Sequence, residues 1–316
     1  MIMTVAQILG AVQLGLIYGL MGLGLYIPFR VLDIPDMTTQ GSFTLGMVVA
    51  GVMTLAGHPI LGLLVSLAAG AAAGVVTGIL HSKWKISAIL SGILTMTALY
   101  TVNLLIMGGK ANISLIGKNT VFLGLEAVLG NSDLAVTLLS LLIAVLWVVC
   151  LAVFFHTRTG LTLRATGDNE MMVRHTSIDT DLMKILGLAM GNALAAFSGA
   201  LICHYNVSAD VNSSNGILVV GLASIIIGET LFKRDGVTRG LISTILGSIL
   251  YRLMIAAALK FDILPSYALN LISTVIVIAA LMFPSIQKAR MRYRKKARHR
   301  RLVEKWMRSV EEDHVE

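Results

Sequence analysis

This sequence has little charge. Asp, Glu, Lys and Arg make up 13% of its 316 residues, against roughly 25% in an ordinary soluble domain. Hydrophobic residues reach 56% and the mean hydropathy is +0.83, so a water-facing globule is excluded. The apolar stretches are long and continuous, not short and alternating, which excludes a transmembrane barrel and leaves a bundle of membrane-crossing helices. Cysteine is scarce too. Cys150 and Cys203 both lie in or beside apolar runs, so no disulfide framework is expected and both read as small core residues. The sequence holds no Gly-x-x-x-x-Gly-Lys-Ser/Thr loop, which excludes ATP hydrolysis by that route. It also lacks a His-Glu-x-x-His motif or a Cys/His cluster. His58, His156, His175 and His204 are scattered, and each reads as a loop or interfacial residue. No catalytic residue, metal or cofactor is therefore expected in this chain. The first apolar run reaches spanning length without a basic n-region, so no cleavable signal is expected.

At about 20 apolar residues per crossing, spans fall near 5–29, 41–56, 59–80, 87–107, 134–155, 183–205, 216–231, 240–259 and 266–283. The expected fold is an all-α polytopic membrane protein of about nine transmembrane helices, several of them short or broken. Glycine is abundant, at 30 residues, and suits helices packed closely through small residues. Residues 1–285 form the transmembrane domain, followed by a basic tail over 286–316. The connection from 108 to 133 has room for short strands or a small helix. Orientation follows from the Lys and Arg distribution. With the polar stretch at 156–184 cytoplasmic, Arg30, Lys83, Lys85, Lys233, Arg234, Arg239 and the tail are inside as well. The reverse orientation exports most of the positive charge. The tail run from Lys288 to Arg301 reads as an anchor drawn to anionic lipid rather than a nucleic-acid site.

That polar stretch, HTRTGLTLRATGDNEMMVRHTSIDTDLMK, lies between two runs of spanning length. Asp168 is placed to cap a short helix reaching Arg174, with Met171 and Met172 as its apolar stripe. Asp179 or Thr180 can cap the next long helix. Gly160 and Gly167 read as turn positions that carry the short helix clear of the membrane. Such a helix suits docking into a groove on a soluble partner, with the two methionines as anchors and Arg164 and Arg174 steering at the rim. A plain solvated loop is the alternative.

The residues Arg158-Thr-Gly160, Arg164-Ala165, Gly167-Asp168-Asn169 and Ile178-Asp179 resemble the coupling loop of ABC importer permeases of the branched-chain amino acid and ribose type. Ser177 stands where that pattern usually has Gly before Ile178. The resemblance covers roughly residues 10–285. Within the family, the run from Asp36 to Gly46 is similar to a branch of single-permease importers associated with tryptophan and related amino acids. It implies a permease subunit in a bacterial plasma membrane, paired with a second copy of itself, with the path at or near the interface. A separate ATPase dimer, holding the ATP and magnesium, is implied to dock at Arg158, Gly160, Arg164, Ala165, Gly167, Asp168, Asn169, Met171, Met172 and Arg174. An external binding protein is implied to deliver the cargo, a hydrophobic or aromatic amino acid.

An internal repeat points to the path. Asp36-Met-Thr-Thr-Gln-Gly41 and Asp210-Val-Asn-Ser-Ser-Asn-Gly216 each follow a long span and precede a short, glycine-marked one. The odd number of crossings between them makes the halves, about 5–107 and 183–283, inverted in the membrane. Asp36, Thr38, Thr39 and Gln40 are candidates for an inner constriction. Asn206, Asp210, Asn212, Ser213 and Asn215 are candidates for an outer one, the alternative being two ordinary loops. Asn103 and Asn192 fall within spans and either bridge helices or line the path. Arg252 and Glu229 are the ionisable residues nearest the hydrocarbon, facing a cavity or a partner or else snorkelling to a span end. An ion-coupled secondary transporter is the alternative function, as is a non-transporting scaffold or an ABC permease for a sugar or nucleoside. A secondary carrier needs coupling groups near mid-span, and the span centres are nearly free of them.

Overall fold

The structure is a computed structural model that describes residues 4–232, 236–260 and the single positions 274, 275, 278 and 282. Lys233, Arg234, the basic tail and most of the run expected at 266–283 lie outside the described residues. Among those described, six segments are long and apolar enough to cross a membrane: Val5–Val31, Pro59–Ser82, Ala88–Ile106, Ser132–His156, Thr180–Asn206 and Val237–Ala258. The chain is thus mostly helical and polytopic. In chain order the helices are α1 (Val5–Tyr26), α2 (Thr38–Leu55), α3 (Pro59–Ser82), α4 (Ala88–Ile106), α5 (Val121–Leu129) and α6 (Ser132–His156). There follow α7 (Arg158–Asp168), α8 (Glu170–Arg174), α9 (Thr180–Asn206), α10 (Ile217–Phe232) and α11 (Val237–Lys260). Two short strands, β1 (Asn112–Ser114) and β2 (Ser208–Asp210), pair antiparallel with Asn112 opposite Asp210.

Helix α9 is the centre of the bundle, packed against α1, α2 and α3. Small residues let it get there. A Cβ on Gly46 would strike the Ala196 carbonyl, and one on Gly199 would strike that of Phe43, so α2 and α9 meet backbone to backbone. Helices α4 and α6 lie further out. Leu141, Leu142 and Val145 of α6 and Leu90, Leu94 and Leu105 of α4 are all exposed, as helices facing hydrocarbon should be.

Helix α1 does not end cleanly. Pro28 has no N–H to give the helical ladder, and the chain widens into a π-helical turn over Ile27–Val31, closed by Leu32 N–H donating to Ile27 O at 3.1 Å. The chain then reverses, with Asp33 in the left-handed region (φ 56°), and climbs back to start α2. Asp36 ends up against Asn192, twelve residues into α9 and so roughly 18 Å along it. The second break reaches a similar depth from the other end. Helix α10 starts at Ile217, in a cavity wall that it shares with Tyr18 of α1, and Gly221 packs on Met21 and Leu25. Tyr18 is roughly 20 Å along α1 from Val5. Both short helices therefore begin near the middle of the bundle.

Candidate functional site

At one end of the bundle, α7 and α8 fill the link between α6 and α9. Thr157 caps α7 by accepting from Gly160 N–H at 3.3 Å. The cap of α8 corrects the sequence expectation. Asn169, extended at φ −158°, accepts from Met172 N–H at 3.0 Å, while Asp168 is the last residue of α7. A residue still in helical conformation cannot serve as the N-cap of the next helix. Asp179 caps α9, accepting from Asp181 N–H at 3.0 Å and Leu182 N–H at 3.1 Å.

Gly160 and Gly167 are not turn positions. Both lie inside α7, where a Cβ on Gly160 would run into the Phe154 carbonyl and one on Gly167 into that of Val31. Their role is close packing of α7 on the ends of α6 and α1. The tight turn falls instead on Ser177, held at φ 62° where the family pattern usually has Gly; a side chain there costs about 1–2 kcal/mol. Arg174 also departs from the rim role expected of it. It pairs with Glu170 at 3.0 Å and Asp181 at 3.1 Å, and its Nε–H donates to Thr180 Oγ1 at 2.9 Å. Lys184 reaches Glu170 at 2.7 Å, and Lys85 reaches Asp181 at 3.3 Å. Single exposed pairs contribute little, but this network clamps α8 to the start of α9. Partial burial pushes the Glu170 carboxyl up, while Lys184, Arg174 and Thr180 together hold it below the ordinary carboxylate range. What remains free is the apolar stripe: Met171 is 67% exposed and Met172 57%, whereas Val173 is buried. Arg158 and Asn169 are exposed as well. Arg164 and Asp168 line a cavity of about 210 Å³ with Arg30, Val31 and Val237, and Arg30 pairs with Glu229 of α10.

The inner break is a buried polar junction. Asp36 is 3% exposed and accepts from Thr38 N–H at 2.8 Å and Asn192 Nδ2 at 2.7 Å. Asn192 Oδ1 accepts from Ser42 Oγ at 2.7 Å. The Thr38 and Thr77 hydroxyls bond at 2.7 Å, and Thr39 Oγ1 donates to Asp36 O at 3.1 Å. These groups tie α2 to α3 and α9. Of the inner candidates, Gln40 alone lines a described cavity.

That cavity, about 240 Å³, gathers Gln40, Asn103, Asn212 and Asn215 with Thr44, Met96, Thr97, Tyr100 and Ser214. Asn103 Oδ1 is shielded and has no hydrogen-bond partner. A second cavity of about 240 Å³ lies across the 213–216 loop and includes Ser213, Asn215, Tyr18 and Arg252. The loop is shaped by Asp210, which accepts from Asn212 N–H at 2.7 Å and from Asn112 Nδ2 at 3.4 Å. Asn206 is exposed in the last turn of α9 and lines neither cavity.

Two other expectations change. His204 is buried, 1% exposed, in the last turn of α9, because that helix runs on to Asn206. Cys150 is exposed on α6, while Cys203 is buried; α6 is apolar all round, so its sequence cannot tell a core face from a lipid face. Sequence reasoning missed Tyr18, Thr44, Thr97 and Tyr100 as cavity residues. They lie inside apolar runs, and only their polar tips marked them out. It also left Arg30 and Glu229 unpaired, although their opposite charges at two helix ends were a signal.

Residues 7–282 match the family described as "Branched-chain amino acid transport system / permease component". The chain is 40% identical over 275 residues to the "Tyrosine transport system permease protein" of Clostridioides difficile (strain R20291), covering 87% of this chain and 90% of that one. It is 22% identical over 237 residues to the "Ribose import permease protein RbsC" of Escherichia coli (strain K12), covering 75% and 73%. It is 25% identical over 251 residues to the "Autoinducer 2 import system permease protein LsrC" of Yersinia pseudotuberculosis, covering 79% and 68%. No solved structure matches the chain.

Proposed function

Because the chain belongs to the family of branched-chain amino acid transport system permease components, we propose that it passes an amino acid inward, driven by a separate ATPase. It is a multi-pass plasma-membrane protein and a transport component rather than a catalytic one. Its cargo is a hydrophobic or aromatic amino acid. Support comes from the relative named for tyrosine transport and from cavities that set amides and hydroxyls beside apolar walls. A sugar cargo has weaker support, since the ribose relative is 22% identical.

The observation that carries the coupling role is α8. Its two exposed methionines project from a helix whose own Glu170 and Arg174 are tied to Lys184 and Asp181 of α9. A monomer gains nothing from an apolar stripe displayed at the basic end of the bundle, whereas a groove on an ATPase covers it. The cytoplasmic ATPase dimer brings ATP and magnesium, and this chain brings none of the hydrolytic machinery. An external binding protein delivers cargo to the opposite end, and a second copy of the chain completes the path.

Within residues 1–285 the halves 5–107 and 183–283 are read as an inverted repeat, with the coupling loop at 156–184 between them and the tail at 286–316 beyond. The packing supports it: α9 lies on α3 as α1 lies on α11, and α2 on α3 as α10 on α11. Each break opens with an aspartate accepting the N–H two residues on, Thr38 for Asp36 and Asn212 for Asp210. The test is reconstitution with the ATPase and binding protein, following tyrosine, phenylalanine, leucine and ribose. ATP-dependent accumulation of an amino acid is expected. Uptake by this chain alone, driven by a proton or sodium gradient, would overturn the reading.

A further inference from the structure

Arg252 lies on α11 inside the outer half of the bundle, with its guanidinium carbon 3.8 Å from the centre of the Tyr18 ring. A cation at this depth normally has a carboxylate or a carbonyl to meet it. Arg252 has neither. No described acid pairs with it, and its Nε–H is shielded from solvent without a hydrogen-bond partner. The aromatic face attracts the charge but accepts no hydrogen bond in the plane of the guanidinium, where the N–H groups point. A fixed fork of donors is thus held in place, its Nε–H without a partner among the described residues.

They border a cavity whose other polar walls suit the same kind of group. The 213–216 loop brings the Ser213 hydroxyl and the Asn215 amide, and α10 begins there at Ile217. The first turn of a helix adds the positive end of its dipole, here at mid-membrane depth in a broken helix, although the Ile217, Val219 and Val220 N–H groups already donate to the carbonyls of Ser214 and Gly216. Val219, Val220 and Ile255 add apolar walls, and Thr274 lines the cavity as well. A cation, a hydroxyl, an amide and a helix start set among aliphatic side chains match a solute carrying an anionic head on an apolar body.

Building on the function proposed above, the geometry points to Arg252 as the residue that binds the cargo's carboxylate during passage, steadied by Tyr18 and assisted by Ser213, Asn215 and the start of α10. Specificity for an amino acid over its amine then arises within the permease as well as in the binding protein. A carboxylate meeting a bidentate guanidinium forms strong charge-assisted bonds, and a neutral amide or a decarboxylated amine forgoes them.

The test uses the reconstituted importer and the detergent-solubilised permease. Arg252→Gln should cut ATP-dependent uptake of L-tyrosine and L-leucine by about tenfold or more, and Arg252→Lys should recover part of it. Thermal unfolding of the permease alone removes the contribution of the binding protein. L-tyrosine or L-leucine should raise the wild-type midpoint, tyramine and leucinamide should not, and Arg252→Gln should abolish the rise. Tyr18→Phe should keep the response and Tyr18→Leu weaken it. Equal uptake and equal stabilisation in Arg252→Gln would overturn this assignment and leave the importer reading standing. So would Arg252-dependent stabilisation by glycerophosphate but not by amino acids, which would make a lipid headgroup the occupant. Failure of the wild type to take up any amino acid would overturn both.

Discussion

Asn192 Nδ2 donates to Asp36 Oδ2 across 2.7 Å, joining the middle of the central helix to the residue that opens α2. The amide oxygen of Asn192 accepts from Ser42 in turn, so one side chain joins the segment before α2 to the second turn of that helix. Asn192→Ala leaves both Asp36 and Ser42 short of a partner in a buried site. A cost of about 1–3 kcal/mol is expected, read as a lowered unfolding midpoint of the detergent-solubilised protein. Ser42→Ala removes one neutral bond and should cost about 1 kcal/mol. An Asn192→Ala protein as stable as the wild type would show that the bridge contributes nothing.

Met171→Asp and Met172→Asp each put a charge into the contact assigned to the ATPase. Loss of the ATPase from pull-downs is expected, with affinity down by about a hundredfold, or roughly 2.7 kcal/mol. Both side chains are more than half exposed, so the membrane domain should keep its unfolding midpoint. Met171→Leu should bind nearly as well as the wild type. Normal retention of the ATPase by both aspartate variants would remove α8 from the coupling role.

The clamp on α8 has a pH signature. Lys184, Arg174 and Thr180 outweigh partial burial and hold Glu170 below its ordinary range. A carboxyl depressed in the folded state stabilises fully above its unfolded value, about 4.3, and loses that contribution as pH falls through the folded value. Hydrogen exchange of the α8 amides, corrected for intrinsic rate, should be constant from about pH 7 to about pH 5 and quicken below. In Glu170→Gln it should be faster throughout and flat. Acid sensitivity that persists in Glu170→Gln would assign the effect to another group.

Sidedness can be read with cysteines. Asn112 and Asn169 are exposed at opposite ends of the chain's bundle, one beside β2 and the other at the start of α8. In a Cys150→Ser background, a cysteine at 112 should react with an impermeant maleimide on intact cells, and one at 169 should react only after lysis. The reverse pattern would invert the orientation drawn from the Lys and Arg distribution.

Much of the fold was legible because a membrane leaves little choice. Apolar runs of spanning length must be helices, and α3, α4, α6 and α9 lie over the runs read at 59–80, 87–107, 134–155 and 183–205. The two aspartate-led breaks were legible from their polar residues. What sequence did not give was angle about the helix axis. In helices apolar all round, nothing marks the side that meets protein, so the sequence does not distinguish an exposed Cys150 from a core residue or single out Tyr18 and Tyr100. Gly160 and Gly167 were misread for a related reason. Glycine serves turns and close contacts alike, and only the neighbouring carbonyls of Phe154 and Val31 decide between them. Arg174 looked free because its partners, Asp181 and Glu170, come near it only once the turn at Ser177 folds the chain back.

The ladder of Asn112 to Ser114 against Ser208 to Asp210 staples the segment after α4 to the segment before α10. These segments are far apart in the chain, and neither can swing away without tearing backbone hydrogen bonds. A mouth built this way opens like the rim of a tilting cup rather than like a flap. Any movement at this end must then carry the two segments together as one stiff piece.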